Sequence, residues 1–349
     1  FHGPEGAMLT MFVLLVSALQ ANALELGRGV HLDETHGQIV RATPDLRVEA
    51  LGLADGKSMW ISQEAAFPLV VHGERVLAIG DRRLGSPVPV VILDAENGQR
   101  SADCGVIELP DWAAGIMDGL GNSTTFRGHF AEGSFWVVWH AESGYAGGAQ
   151  ISWEEMQRRK IAAEGALRCT YPSGEGGSPL AKMVDAKTVP SAMKPLPGSL
   201  AEQVVVRQMG GSGEEHSNFI WAGDRLQSIV QVQGPAAVLR LHDPDTGAVL
   251  NTVTLHEGAT HHRGFSADGE HALVTWADGG SYRTELFALP AGTRVQTPPD
   301  FGDGSGWVVS GSVSIGVAYS TIASYDLIDG QKRWEVARLL TRYTGHYPP

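Results

Sequence analysis

At 349 residues the chain is long enough to bury one large core or two smaller ones, and its net charge is −13 with 19% charged residues, 43% hydrophobic residues, 44 Gly, 18 Pro and two Cys. Charge below the roughly 25% of an average soluble domain, with Gly well above the roughly 7% norm, implies unusually many turns and argues against a helical bundle or coiled coil. An acidic balance without a Lys/Arg cluster offers no footprint for phosphate backbones, so nucleic acid is not expected as a partner, and two cysteines exclude a disulfide-dense miniature scaffold and a four-thiolate zinc site.

From Met8 to Ala23 the chain reads MLTMFVLLVSALQANA, an apolar run closing on Ala21-Asn22-Ala23, the small-x-small pattern that signal peptidase accepts. Residues 1–23 are read as a signal peptide preceded by a remnant, Phe1–Ala7, that lacks an initiating Met; no Lys or Arg precedes the apolar run. The run is shorter than the roughly 20 residues that span a bilayer, so no membrane span is expected after its removal and the expected location is periplasmic or secreted. Export leaves two readings for Cys104 and Cys169. They pair, closing a loop of about 65 residues worth on the order of 3–4 kcal/mol, or they stay as two buried thiols.

Past residue 50 one short pattern recurs, an apolar strand followed by a turn with Asp or Asn and Gly. Copies occur at Leu53–Trp60, Leu93–Gln99, Leu241–Leu250, Leu289–Thr293 and Tyr325–Trp334, with a weaker one at Tyr171–Gly174. Asn-Gly, Asp-Gly or Thr-Gly supplies the positive-φ turn that joins twisted antiparallel strands. Where copies are consecutive their glycines stand about 40 residues apart, the length of one four-stranded propeller blade. Between them Val, Ile, Trp, Phe and Tyr concentrate in stretches with a period of two: Pro68–Ile79, Phe135–Trp139, Phe219–Val232, Phe265–Trp276 and Trp307–Tyr319.

Two segments break the rhythm. Ile151–Ala166 has Ser152 as an N-cap with Glu155 three residues on, which predicts a short inserted helix over 151–166. Residues 175–200 are rich in Pro and Gly and read as a surface excursion. The expected fold is all-β: a single β-propeller of four-stranded antiparallel blades over residues 24–349, most simply seven-bladed within a range of six to eight. Residues 24–50 and 335–349 are each too short for a blade and are expected to complete one together, sealing the ring.

The motifs Asp55-Gly56-Lys57-Ser58-Met59-Trp60, Val91–Gly98 and Asp326–Trp334 resemble the PQQ-binding-like β-propeller repeat, related in architecture to quinoprotein dehydrogenases, and Phe265-Ser266-Ala267-Asp268-Gly269 resembles the hairpin of WD-repeat-like blades. The resemblance spans about residues 50–340 and implies a fold rather than an activity. Quinoprotein dehydrogenases carry adjacent cysteines over the quinone. Cys104 and Cys169 stand far apart, so no PQQ is expected, and Trp60 and Trp334 are expected to pack between neighbouring blades.

The most distinctive polar cluster is Thr260-His261-His262-Arg263, with Glu214-Glu215-His216 in a comparable position before the Phe219 strand. Imidazoles from loops that converge on an axial channel can hold a divalent metal ion, which makes His216, His261 and His262 the candidate ligands. The competing reading is solvated loop histidines, since neighbours in a strand point to opposite faces. His129 and His140 flank an aromatic strand and are read as half-buried. Gly210–Gly213 lacks the Lys-Ser/Thr of a phosphate loop, and Asn122-Ser123-Thr124 fits a glycosylation acceptor. No catalytic residue is identified. The leading expectation is a non-catalytic extracytoplasmic scaffold that binds another protein or a small ligand. A metal-dependent propeller hydrolase or lyase and a quinone-dependent oxidoreductase are the alternatives.

Overall fold

The computed structural model describes residues 24–27, 29–80, 87–110, 113, 122–143, 161–170, 179–190, 216–222, 225–233, 236–242, 248–257, 261–267, 271–278, 281–288, 291–295, 306–310, 312–317 and 321–337. They form an all-β structure of successive antiparallel meanders, each taken from one continuous segment. The first sheet has five strands, β1 (Leu24–Gly27), β2 (Val30–Asp33), β3 (Gln38–Ala42), β4 (Val48–Gly52) and β5 (Ser58–Ser62). The second comprises β6 (Ala65–His72), β7 (Arg75–Gly80), β8 (Val88–Asp94) and β9 (Arg100–Ile107), and the third β10 (Asn122–Ala131), β11 (Ser134–Ser143), β12 (Ile161–Thr170) and β13 (Leu180–Val184). The fourth comprises β14 (His216–Ala222), β15 (Arg225–Gln233), β16 (Ala236–His242) and β17 (Val249–Glu257). The fifth comprises β18 (His261–Ala267), β19 (His271–Asp278), β20 (Ser281–Ala288) and β21 (Thr293–Val295), and the sixth β22 (Gly306–Ser310), β23 (Val313–Val317), β24 (Thr321–Asp326) and β25 (Lys332–Ala337).

The turn copies seen in the sequence all fall at one place, between the last two strands of a sheet. Asp94 and Asp326 end β8 and β24, and their carboxylates accept the backbone N–H groups of Glu96 and Asn97, and of Ile328 and Asp329. Asn97 and Asp329 then accept from Gln99 and Gln331, as Asp55 does from Lys57 in the first sheet. The chain must next enter the left-handed region, and Gly56, Gly98 and Gly330 do so with φ of 66°, 71° and 67°. Side-chain oxygens thus satisfy the turn's donors, and glycine reverses the chain. The alternating stretches 68–79, 219–232, 265–276 and 307–319 each contain two strands paired antiparallel with one another.

Strands β6–β8 of the second sheet read as nearly continuous apolar runs because both faces are covered. In β7 and β8, Val76, Ala78, Val91 and Leu93 face the first sheet, joining Val40, Val48, Ala50 and Trp60. Leu77, Ile79, Val90 and Ile92 face the third, joining Phe135, Val137, Trp139 and Leu167. The second sheet is therefore packed between the first and the third, and the first strands β6 and β10, β14 and β18, and β18 and β22 lie against each other.

A single device recurs at these joints. The residue four places after the turn glycine, on the last strand, reaches the turn of the next sheet. Trp60 lies over Gly98 and donates its indole N–H to Ala95 O at 2.9 Å; Trp334 lies over Gly56 and donates to Leu53 O at 3.0 Å. The expectation that both indoles pack between neighbouring units agrees with this. Asn251, in the same position of the fourth sheet, donates its amide to Ala291 O at 2.8 Å. In the second sheet the position is Ala102, and there Cys104 of β9 is bonded to Cys169 of β12 with Cα atoms 5.6 Å apart. The disulfide ties a joint that has no docked indole.

Three expectations need correction. Residues 161–166 are not helix but the first part of β12, paired with β11 from Ser143 back to Ser134; residues 151–160 lie outside the described residues. The capping pattern is local, whereas ten cross-strand partners and the close approach of Gly165 to Trp139 decide the outcome. Within the 175–200 excursion, Leu180–Val184 is the fourth strand of the third sheet, followed by a 3₁₀ turn at Ala186–Thr188. Among the described residues the chain ends do not share a sheet either. Residues 24–62 complete the first by themselves, and β25 belongs to the sixth. These two sheets meet by packing, Val30, Leu32 and Ile39 against Ile315, Val317, Ile322 and Trp334. Arg41, paired with Glu49 through Nε at 2.9 Å, also donates to Ala337 O, linking the first sheet to the end of the last.

A Cβ at Gly98 would stand 2.2 Å from Trp60, whereas one at Gly37, also at positive φ, meets nothing within 4 Å. Gly37→Ala is expected to cost about 1–2 kcal/mol of backbone strain, and Gly98→Ala about 2 kcal/mol more through the displaced indole. Thermal melting of the two variants side by side measures the difference; equal losses would mean the indole does not depend on the turn.

Candidate functional site

The sequence-predicted histidines sit on neighbouring first strands. His216 opens β14, opposite Val232, and His261 and His262 open β18, opposite Ala277 and Trp276, with a register shift between His262 and Gly264. Strands β14 and β18 touch, so the backbone brings both histidine-bearing segments into adjacent units. Glu214, Glu215 and Gly210–Gly213 lie outside the described residues. Among the described residues no group of three or more His, Cys, Asp or Glu side chains is arranged to hold a metal ion. His129 lies on β10 with its ring parallel to Trp136, and burial lowers its pKa against the hydrogen bond to Pro190. His140 lies on β11 with Nδ1 3.9 Å from Glu164. Thr124 of the acceptor pattern is buried.

The most organised polar cluster was not anticipated. It joins the β2–β3 turn to the β6–β7 turn across the first two sheets. His36 Nδ1 stands 2.7 Å from Asp33 Oδ2 and its Nε2 2.9 Å from Glu74 Oε2, so a doubly protonated ring donates to both carboxylates. Gln38 donates from Nε2 to Asp33 at 2.8 Å and to Ala95 O at 2.7 Å, fixing the buried carboxylate against the second sheet. Burial pulls the His36 pKa down, but the bonds to Glu74 and Asp33 and their charges outweigh it, and the net shift is upward. Nearby, His31 is wholly buried and its Nε2 lies 3.3 Å from Pro68 O, while Nδ1 has no partner. Burial lowers its pKa to about 4, with the Pro68 bond opposing. No spacing motif signals either group, because the partners come from different sheets.

The outer strands carry a different feature. Met59 and Ile61 on β5, Val106 on β9, Leu180 and Met183 on β13 and Val249 on β17 are large apolar side chains left exposed, Leu180 at 71%. Strands β9 and β13 touch, with the position of a Gly105 Cβ only 3.2 Å from Ala181 Cβ. Val106, Leu180 and Met183 therefore lie on adjoining strands beside the Cys104–Cys169 bond.

No family model matches the chain, and no curated protein matches it. Among solved structures it is similar to one described as KlHsv2 with loop 6CD replaced by a Gly-Ser linker, at 10% identity and a TM-score of 0.36, over 84% of this chain and 86% of that one.

The two histidines give stability opposite pH slopes. His31, its folded pKa depressed, contributes above pH 6.5 and loses about 3 kcal/mol as pH falls toward 4. His36, its folded pKa raised, contributes below pH 6.5 and loses that contribution as pH rises through its folded value. Melting temperatures between pH 4 and 9 are expected to show a flattened acid limb in His31→Gln and a flattened alkaline limb in His36→Ala.

Proposed function

We propose that the chain is an exported, non-catalytic β-propeller that serves as a binding scaffold for another protein. The resemblance to PQQ-binding-like repeats and the packing of the sixth sheet on the first support a closed ring. The described sheets, with the last packed on the first, favour six blades, the lower end of the expected range. The amino-terminal apolar segment ending at Ala23 and the Cys104–Cys169 bond agree with an oxidising, periplasmic or extracellular location.

The observation that carries the binding role is the apolar rim formed by Val106, Leu180 and Met183. Large apolar side chains left in water on adjoining outer strands are a common mark of a protein contact. The disulfide beneath it holds β9 and β12 in fixed relation, so the patch presents a preformed surface. A second reading, a divalent metal held by His216, His261 and His262, draws on the adjacency of β14 and β18. Elemental analysis of the purified chain before and after chelation tests it; absence of stoichiometric metal and no uptake of zinc, calcium or manganese remove it.

For the scaffold, affinity capture from the exported fraction of the source cells is expected to recover a stoichiometric protein partner. The Leu180→Glu/Met183→Glu variant should lower its recovery at least about tenfold with an unchanged melting temperature. Recovery unaffected by the double substitution, or no partner at all, would overturn this reading.

A further inference from the structure

One face of the third sheet packs on the second, where Phe135, Val137, Trp139, Leu167 and Cys169 are buried. Its strands pair without a register shift, so alternate residues share the other face. One row across that face reads His129, Trp136, Arg168, Lys182, each directly opposite the next. The neighbouring row holds Ala131, Ser134, Thr170 and Leu180. After β13 the chain recrosses this face: the 3₁₀ turn at Ala186–Thr188 touches β12, and His129 bonds to the carbonyl of Pro190.

Arg168 is held from two directions. Its guanidinium carbon lies 5.0 Å from the centre of the buried Trp136 ring, and its Nε donates to Ser134 Oγ at 3.2 Å, a hydroxyl itself 2.9 Å from Thr170 Oγ1. Nη1 and Nη2 are left as a fork of donors without a partner among the described residues. Lys182 stands opposite on β13 and is exposed. Like charges directly opposite one another oppose sheet formation, yet among the described residues neither cation is in an ion pair. This happens in a chain with 39 acidic residues against 26 Lys and Arg. The acidic residues of these strands are elsewhere: Glu164, two rows away, stands 3.9 Å from His140, and Glu142 is opposite Ala162, a row further. Two adjacent cations, one of them preset in direction and neither neutralised, are what an oxyanion from outside the chain requires.

We propose that Arg168 and Lys182 form a binding site for the carboxylate or phosphate group of a small ligand, Arg168 gripping two of its oxygens and Lys182 adding a further contact. The guanidinium fork matches two oxygens on one centre, whereas the ammonium supplies charge without a fixed direction. Because Lys182 is exposed on the terminal strand of its sheet, the site opens to solvent. It stands or falls without the scaffold and metal readings, which rest on other side chains.

Melting temperatures of the full chain at neutral pH, in rising inorganic phosphate or succinate and in sodium chloride of equal ionic strength, test the assignment. Wild type is expected to melt higher as phosphate or succinate is raised, and the anion with the larger rise identifies the acidic group. Lys182→Gln should melt no lower than wild type in chloride, because it removes a like-charge contact, yet raise the anion's apparent dissociation constant at least about tenfold. Arg168→Lys keeps the charge and loses the fork, and should lose most of the response while circular dichroism shows it folded. A general stabilisation by salt would survive both substitutions. No rise over chloride in wild type, a rise undiminished in both variants, or a Lys182→Gln chain that melts lower than wild type in chloride would overturn the proposal.

Discussion

What joins one sheet to the next is the seat that a left-handed glycine turn offers to a side chain from the preceding sheet. The turn needs glycine for its φ, and the missing Cβ leaves backbone bare for an indole to lie on. The turn carbonyl then accepts the indole N–H, so a large apolar group and its single donor are satisfied together. Asn251 shows that the ring is dispensable to the hydrogen bond, since an amide in the same position reaches the neighbouring turn. Local turn chemistry and long-range packing are in this way one interaction seen at two scales.

Joints without that seat are held otherwise. Between the second and third sheets a covalent bond spans the place where Ala102 cannot reach. Between the fifth and sixth, Leu327 of the turn is buried against Leu286. Between sixth and first, the buried Arg41–Glu49 pair supplements Trp334 and donates to the carbonyl of Ala337. A buried ion pair adds little net stability over an apolar substitute, but removing one member strands a charge, so the pair specifies which sheets meet more than how strongly. The Asp33–His36–Glu74 cluster adds a proton-dependent clamp to the first joint, within reach of the Trp60 seat through Gln38 and Ala95.

The consequence for function is a division of surfaces. Both faces of the second sheet are consumed by its neighbours, so recognition there falls to the turns and to the outermost strand. There the residues differ from sheet to sheet: Met59 and Ile61 in one, Val106 beside Leu180 and Met183 in the next two. Repetition inside builds a frame, and variation outside distinguishes one side of it from another.

Much of the fold was written locally. Asp94, Asn97 and Gly98, or Asp326, Asp329 and Gly330, dictate a reversal whatever surrounds them, because side-chain acceptors and a permissive φ act within six residues. The alternation of Val, Ile and aromatic residues dictates strands, and even the docking role of Asn251 can be counted from Gly247. Beyond that range the sequence was silent or misleading: the helix expected to run through 161–166 lost to the pairing of Ile161–Thr170 with β11, and β1–β5 form one sheet while β25 belongs to another. The bonding of Cys104 to Cys169 and the meeting of His36 with Glu74 likewise depend on where whole sheets stand. Turns and strands follow from energies between near neighbours in the chain, whereas partners 38 or 65 residues apart are chosen only when buried faces have settled against each other.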